Sequence, residues 1–406
     1  MPRATRVRPW QGGRSSGIRE IPASAPTPVD PVIPAGLLEA FADGCPHTGP
    51  MSSVHHVCDW MVEHNLQDPL ATWSLRKAYV FGGQIQRRKA RLHWHGQLLL
   101  SRRLELTRPS WGLMDGGPSL PEELLVEGSE GSYELVWPTE AAQRPPGTTR
   151  VHPRRLRGTH YLIGNAHPHF GHFLLEGLSR LWGLAELSPE EREAVSFLVY
   201  EPRLEGWMYE LLALAGVDRS RIVHASPVDV VDRLLTADPA MRTHNGITTA
   251  MAGTWRSMAE RVEAGPAERR IYLSRSHVAN RGLRNEAEVE ELFHSRGFEI
   301  VAPETMSIPD QVRLAREAAV LAGPVGSQMY LAAFQRPSAR TLVMAPSNFY
   351  LKDDVLIASA MGHDLDVVIG GDIDLSTRKR SWAWTVDIDD VVAAVDRALG
   401  SGQEVT

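Results

Sequence analysis

The pattern of apolar and polar positions changes near residue 160. From there, short apolar runs alternate with segments in which apolar residues recur every three or four positions. This alternation predicts strands and helices in turn, which is the sequence pattern of βαβ units and a parallel sheet. In the first part of this region the expected strands are His160–Gly164, Ser196–Tyr200 and Arg221–His224. The expected helices are Phe173–Leu187, Trp207–Ala215 and Thr248–Ala264.

The pattern after residue 266 is more regular. The predicted strands are Arg270–Ser274, Phe298–Val301, Ala319–Ala322, Arg340–Met344 and Leu365–Ile369. The predicted helices are 285–296, a helix begun by Ser307 and Asp310 in a pattern resembling a capping box, Ser327–Phe334, Asp353–Met361 and Asp389–Leu399. This half is therefore expected to form a complete open α/β domain.

Domain limits follow from composition and from stop signals. Residues 1–33 are rich in Arg, Pro, Ser and Gly without periodicity and are expected to be a disordered tail. Residues 34–265 are expected to form a first α/β domain with a β-rich extension, which ends at the stop signal Gly265-Pro266. Residues 266–385 are expected to form the second, open α/β domain, and residues 386–406 a C-terminal helix and tail.

Charge and composition exclude several classes of protein. The net charge of the chain is −6, and because residues 1–19 contain five arginines and no acid, the remainder carries −11. A body this acidic is unsuited to a nucleic-acid backbone. The two cysteines cannot form a disulfide framework, and no signal peptide or bilayer-spanning run is visible. We expect a cytoplasmic protein without a transmembrane segment.

A candidate anion site lies where two predicted strands end. Arg275, Arg281 and Arg284 follow one strand, and the loop 323–327 follows another and opens a helix. Backbone N–H groups at a helix start favour an anion, and arginines bind diphosphates bidentately. The alternative is a tight turn beside solvent-exposed arginines. Neither a Walker A nor a Gly-x-Gly-x-x-Gly motif is present, which disfavours kinases and dehydrogenases.

A second candidate site combines histidine with carboxylate. His172, Glu176 and Arg180 stand four residues apart, so they are expected to share one helix face, with His172 as a general base and Glu176 as its orienting partner. The alternative is a polar stripe that faces solvent. Cys45, His47, His55, His56 and Cys58 fit no zinc-site spacing, so we expect a surface loop and no metal there.

Two motifs resemble glycosyltransferase family 61. The string His169-Phe-Gly-His172-Phe-Leu-Leu-Glu176-Gly-Leu-Ser-Arg180-Leu resembles the family's first motif, which usually runs near Asn-Tyr-x-His-Trp-Leu-x-Glu-x-x-Pro-Arg-Leu. The second motif is similar to the following residues: 271–275, Arg281, Asn285-Glu286, Gly297-Phe298, Pro303-Glu304, Gln311 and Ala318. The resemblance covers about residues 70–350.

This resemblance implies a fold and an activity. The fold would be the GT-B type, two Rossmann-like domains facing a cleft, and the activity inverting transfer from a nucleotide-sugar donor to a glycan or other hydroxyl acceptor, without an essential metal. Bacterial members are thought to build surface polysaccharides, so a bacterial enzyme of that kind is expected, with peripheral membrane contact left open. His172 and Glu176 would be catalytic and His169 and Arg180 acceptor-side, and the donor-binding set would be Arg275, Arg284, Asn285, Glu304, Gly323, Gly326 and Ser327.

Two departures from the family pattern keep other functions open. The family usually has His where this chain has Val325, and Asn where it has His169. Both changes together suit a catalytically inactive GT-B-like binding or scaffold protein. A metal-dependent hydrolase that uses the histidine cluster is a third hypothesis.

Overall fold

The chain folds into a mixed α/β structure. The computed structural model describes residues 18–21, 26–34, 37, 70, 72–81, 86–87, 90–91, 98–100, 125–127, 133–135, 154–163, 168–199, 203–224, 229–278, 282–347, 349–350, 352–374 and 383–400. Contacts divide the chain into two compact units, the first formed by residues 1–26 and 69–242 and the second by residues 27–68 and 243–406.

Strands and helices are named in chain order. The strands are β1 (Ile18–Ile21), β2 (Thr72–Phe81), β3 (Gln86–Arg87), β4 (Ala90–Arg91), β5 (Leu98–Leu100), β6 (Leu125–Glu127), β7 (Tyr133–Leu135), β8 (Arg154–Leu162), β9 (Ser196–Val199), β10 (Ile222–His224), β11 (Asp229–Ala237), β12 (Met241–Arg242), β13 (Gly246–Ile247), β14 (Arg269–Leu273), β15 (Glu299–Val301), β16 (Ala318–Pro324), β17 (Arg340–Pro346), β18 (Asp364–Asp374) and β19 (Ala383–Thr385). The main α-helices are α1 (Pro189–Ala194), α2 (Gly206–Leu214), α3 (Thr249–Glu260), α4 (Glu286–Ser295), α5 (Ile308–Glu317), α6 (Asp353–Met361) and α7 (Ile388–Ala398).

The first unit is built on a mixed sheet with the order β1-β2-β11-β8-β9-β10, in which β5 also pairs with β2. Strands β11, β8, β9 and β10 are parallel, whereas β2 runs antiparallel to β11. Strand β11 was not predicted, although Val231, Leu234 and Leu235 are buried in the core. The charged residues of β11, Asp229, Asp232 and Arg233, interrupt the apolar pattern of a strand. Arg154 pairs with the buried Asp229 at 2.7 Å.

The second unit is built on a sheet with the order β15-β14-β16-β17-β18-β19. The first five of these strands are parallel and β19 is antiparallel. Counted from β14, the parallel strands stand in the order second, first, third, fourth, fifth, so the direction of winding reverses between β14 and β16. In doubly wound sheets ligands bind beyond the carboxyl ends of the strands at such a reversal.

Both faces of the second sheet are covered. Tyr272, Ala322 and Leu342 face a cluster that includes Phe293 of α4 and Val391 of α7. Their neighbours along the strands, Ile271, Leu321 and Val343, are also fully buried, and alternation along a strand places them on the opposite face. Helices α5 and α6 and the 3-10 helix Ser327–Phe334 pack on the sheet as well.

The α/β class with parallel strands is confirmed, while the two-Rossmann arrangement stays a prediction. Helix α6 has the predicted bounds, and β14 to β18 each overlap a predicted strand. Part of the expected disordered tail takes regular structure, because β1 pairs with β2 and Val29 donates to the Ile247 carbonyl at 3.0 Å. Helix α3, expected in the first domain, falls in the second unit.

A buried histidine makes the stability of the second unit depend on pH. Both ring nitrogens of His363 lie below the surface, and this burial lowers the pKa of His363 from 6.5 to about 4. Between these values the unfolded chain binds a proton that the folded chain does not bind. The contribution of the neutral His363 to the free energy of unfolding is therefore complete above about pH 6.5 and is lost as the pH falls toward 4.

The free energy of unfolding should fall by at most about 3 kcal/mol through this pH window because of His363. His363→Gln should flatten that part of the profile, measured by urea unfolding at a series of pH values. The difference between variant and wild type isolates this group from the carboxylates that titrate nearby. An equally steep profile in the variant would contradict the assignment.

Candidate functional site

The segment that follows β8 carries the first motif on an irregular helix. One α-turn, Phe170–His172, leads into a π-helical turn, Phe173–Gly177, in which the Leu178 N–H donates to the Phe173 carbonyl at 3.1 Å. A 3-10 turn, Leu181–Leu184, comes next. The continuous helix predicted over Phe173–Leu187 is therefore wrong. Single π-helical turns inside helices occur frequently at functional sites.

His172 and Glu176 are adjacent on the exposed side of this segment. The His172 Nδ1 lies 3.4 Å from the Glu176 Oε2, and their side chains are 36% and 20% exposed. His169 joins them, with its ring centroid 5.1 Å from that of His172 in an edge-on arrangement. A half-exposed imidazole beside a carboxylate has the composition of a general base with its orienting group. The neighbouring residues 164–167 lie outside the described part of the chain.

Arg180 does not share the helix face of His172 and Glu176, so this part of the prediction is wrong. The π-turn and the break at Leu178 rotate its side chain inward, where it is 3% exposed and donates to the Ala237 carbonyl. Burial lowers the pKa of Arg180 to about 9, although Asp238 opposes this effect. The Tyr161 hydroxyl in turn donates to the Arg180 carbonyl. These contacts make Arg180 an anchor between the motif segment and the end of β11.

An aromatic side chain from α2, Trp207, packs on the segment that carries the histidines. The Trp207 ring lies 5.9 Å from Phe170 and 5.6 Å from Phe173, between centroids. Its indole N–H donates to the Glu205 carboxylate at 2.6 Å, which fixes the orientation of the ring. Phe170 and Phe173 flank His172 within two residues, so Trp207 packs against the turn that presents this histidine. Trp207 is distant from the motif in sequence, so no local spacing indicated this contact.

In the second unit, Arg275 and the loop after β16 meet at the reversal between β14 and β16. Arg275 follows β14 by two residues and is 7% exposed, and its Nη1 donates to the Gln328 side chain at 2.8 Å. Gly326 lies directly against this guanidinium, because an added Cβ there would overlap Arg275 Nη1. At Gly323 a Cβ would lie 2.8 Å from the Leu273 carbonyl oxygen. Gly323 is thus required by close packing against the backbone, whereas a side chain at position 326 would displace the end of the Arg275 side chain.

Glu286 anchors the backbone that carries Arg275. Its carboxylate accepts the Arg275 N–H at 2.6 Å and is 4% exposed. Burial raises the pKa of Glu286, and the Arg275 N–H opposes this rise. Burial also lowers the pKa of Arg275, against the charges of Glu286 and Glu304. Glu286 belongs to the second motif but was not predicted as a site residue, yet it is the residue that positions the Arg275 backbone.

The other predicted donor residues have different surroundings. Asn285 stands at the start of α4, but its side-chain amide donates to the Val386 carbonyl at 2.8 Å and its oxygen accepts the Val386 N–H at 3.2 Å. Arg284 is exposed, and Glu304 is exposed just beyond β15. Ser327 is the first residue of the 3-10 helix. Arg281 lies outside the described residues. The structure therefore brings Arg275, Gly323, Gly326 and Ser327 together.

Val325 is buried, with 2% of its surface exposed. Its N–H donates to the Met344 carbonyl at 2.7 Å, which ties the loop to β17. The side chain at this position packs in the interior of the unit.

Within the described ranges, no group of three or more His, Cys, Asp or Glu side chains is arranged to hold a metal ion. The cysteines and the histidines at 47, 55 and 56 lie outside those ranges. Among the helices described, none has both the length and the apolar character of a membrane crossing.

The fold and the site define a mixed α/β protein whose second unit is doubly wound, with an arginine held under a glycine loop at its switch point. Residues 170–343 match the family model Glycosyltransferase 61, so this part of the chain is similar to that family. The match begins inside the first motif and ends in β17, so it includes His172, Glu176, Arg275 and Gly326. No curated protein matches the chain significantly.

Proposed function

We propose that the chain is an inverting glycosyltransferase that moves a sugar from a nucleotide-sugar donor to the hydroxyl of a glycan or similar acceptor. The match of residues 170–343 to the glycosyltransferase 61 family model supports the transferase class. The donor, the inversion of configuration, the absence of an essential metal and a role in surface polysaccharide synthesis belong to the proposal, and so does a cytoplasmic location.

One observation supports the donor site more than any other. A buried guanidinium lies at the switch point of a doubly wound sheet, packed under a glycine at the start of a helix. Arginine binds phosphate oxygens through several N–H groups, and backbone N–H groups at the helix start add a partial positive charge. This combination suits the diphosphate of a nucleotide-sugar.

The chemical step follows from these groups. His172 removes the proton from the acceptor hydroxyl as the hydroxyl oxygen attacks the anomeric carbon from the side opposite the diphosphate. The bond between the anomeric carbon and the phosphate oxygen breaks, and its electron pair stays on the diphosphate. Arg275 and the loop N–H groups stabilise that charge. Glu176 orients the His172 imidazole and stabilises it once it is protonated.

A second candidate function is donor binding without transfer. Val325 favours it, because an apolar buried side chain stands where the family usually has a histidine. A GT-B-like binding or scaffold protein would retain the contacts of Arg275 and lose the chemistry.

Incubation of the full chain with UDP-, GDP-, dTDP- and ADP-sugars tests the proposal. The expected result is release of one nucleotide diphosphate, which an added glycan acceptor accelerates, with a product of inverted anomeric configuration by NMR. Binding of a donor without release would support the scaffold function instead. Neither binding nor release across the panel would overturn both.

A further inference from the structure

A buried group of polar and charged side chains lies at the carboxyl edge of the second sheet and contains none of the site residues described above. It consists of His244, Tyr330, Lys352, Asp353 and Asp354. Lys352, Asp353 and Asp354 stand at the N-cap and in the first turn of α6, which follows the carboxyl end of β17. Burying a charge is costly unless it is paired, so such a group requires an explanation.

The centre of the group is the Asp353 carboxylate, whose side chain is 1% exposed. It accepts the His244 backbone N–H at 2.7 Å and the Tyr330 hydroxyl at 3.2 Å. The His244 Nδ1 lies 2.7 Å from its second oxygen. Burial alone would raise the pKa of Asp353, but the charge and hydrogen bonds of His244 hold it below its ordinary value. The carboxylate is therefore ionised and orients the imidazole.

His244 is the member of the group that reaches the surface, since its side chain is 19% exposed. Its backbone has φ of 61°, a left-handed conformation that is uncommon outside glycine and that clusters at functional sites. Beside it, Asp354 is 5% exposed, and its Oδ2 has no hydrogen-bond partner among the described residues. An unsatisfied buried carboxylate oxygen of this kind calls for an explanation.

The 3-10 helix connects this group to the proposed donor site. In a 3-10 helix residues three apart eclipse each other, so Ser327 and Tyr330 lie on one side of it, about 6 Å apart along the axis. Tyr330 contacts Asp353, and Asp353 contacts His244. The histidine thus belongs to the same carboxyl edge as Arg275 and Gly326.

We propose that His244 is a further ligand-binding residue of the donor site, which donates a hydrogen bond from its imidazole to the sugar-bearing phosphate of the nucleotide diphosphate. Asp353 is the positioning residue that holds the ring. The inference rests on the proposed function, because it needs a nucleotide diphosphate at this edge. During transfer the same contact stabilises the phosphate oxygen that receives the electron pair of the broken bond.

Calorimetric titration of UDP, GDP, dTDP and ADP, each beside its monophosphate, tests this assignment with His244→Asn. Asparagine tolerates the left-handed backbone and keeps the N–H that Asp353 accepts. For the diphosphate that the wild type binds, we expect at least a tenfold loss of affinity, and for its monophosphate less than a twofold change. His294→Asn is the matched control, because it makes the same exchange at an exposed histidine on α4 outside the group and should change neither affinity.

Three results would overturn the assignment. Equal losses for diphosphate and monophosphate would indicate a structural histidine, and unchanged diphosphate affinity would remove His244 from the site. If the wild type binds no diphosphate, the proposed function fails and this assignment fails with it. Should thermal unfolding show that His244→Asn is misfolded, His244→Gly, which relieves the backbone strain, replaces it in the same titrations.

Discussion

The His172→Asn variant should transfer sugar about 10²–10⁴-fold more slowly than the wild type, while its affinity for the nucleotide diphosphate stays near normal. Loss of a general base removes an interaction that acts in the transition state, whereas ground-state binding depends on other groups. The proposal assigns those other groups to Arg275 and the loop after β16. Steady-state transfer rates and calorimetric titration of the same protein preparations measure the two quantities.

His294→Asn serves as the matched control, because His294 is an exposed histidine on α4 outside the proposed site. It should change neither rate nor affinity. Glu176→Gln distinguishes a catalytic from an orienting role of Glu176. Its loss of transfer rate should equal that of His172→Asn if Glu176 is the base. The loss should be smaller if Glu176 only orients the His172 ring, from which it lies 3.4 Å away. A near-normal rate of sugar transfer in His172→Asn would indicate that Glu176 is the base. Loss of diphosphate binding in the same variant would indicate that His172 has a structural role.

The Arg275→Ala variant should bind the nucleotide diphosphate about 1.5–3 kcal/mol more weakly, a tenfold to roughly hundredfold loss. The guanidinium is nearly buried, so its contact with phosphate is shielded from water and strengthened. Arg275→Lys should recover only part of the affinity, because an ammonium keeps the charge but not the fork of N–H groups. Titration with the diphosphate measures all three proteins.

Arg270→Ala is the control for the loss of one positive charge. Arg270 lies near the amino end of the same strand, is exposed, and donates to the Arg296 carbonyl at 3.0 Å. It should leave the affinity unchanged. Unchanged affinity in Arg275→Ala, with its unfolding temperature preserved, would exclude the switch-point arginine from the donor site.

The second unit could be predicted well from the sequence because its signals are local. Apolar runs give β14 to β18, and Ser307 caps α5 by accepting the Asp310 N–H, as its spacing with Asp310 indicated. Two parallel strand ends then suffice to bring Arg275 beside the glycine loop. None of these steps requires knowledge of distant contacts.

The rest depends on tertiary contacts that periodicity does not record. β11 carries charges whose partners, such as Arg154, come from far along the chain. Arg180 turns inward because a π-turn shifts the helical phase and the Ala237 carbonyl accepts its guanidinium. His244 and Asp353 are 109 residues apart in sequence, so their contact has no local signal at all.

The close approach of Gly323 to the backbone of β14 also constrains which substitutions relatives of this chain can accept. An added Cβ at position 323 would lie 2.8 Å from the Leu273 carbonyl oxygen, and a backbone atom of a central strand cannot move aside as the end of a side chain can. At position 326 the nearest atoms are the ends of the Arg275 and Gln328 side chains, so a small residue there is accommodated by moving the guanidinium. A relative with alanine at 326 is therefore expected to keep the fold with a displaced arginine, whereas one with alanine at 323 is expected to separate two neighbouring strands.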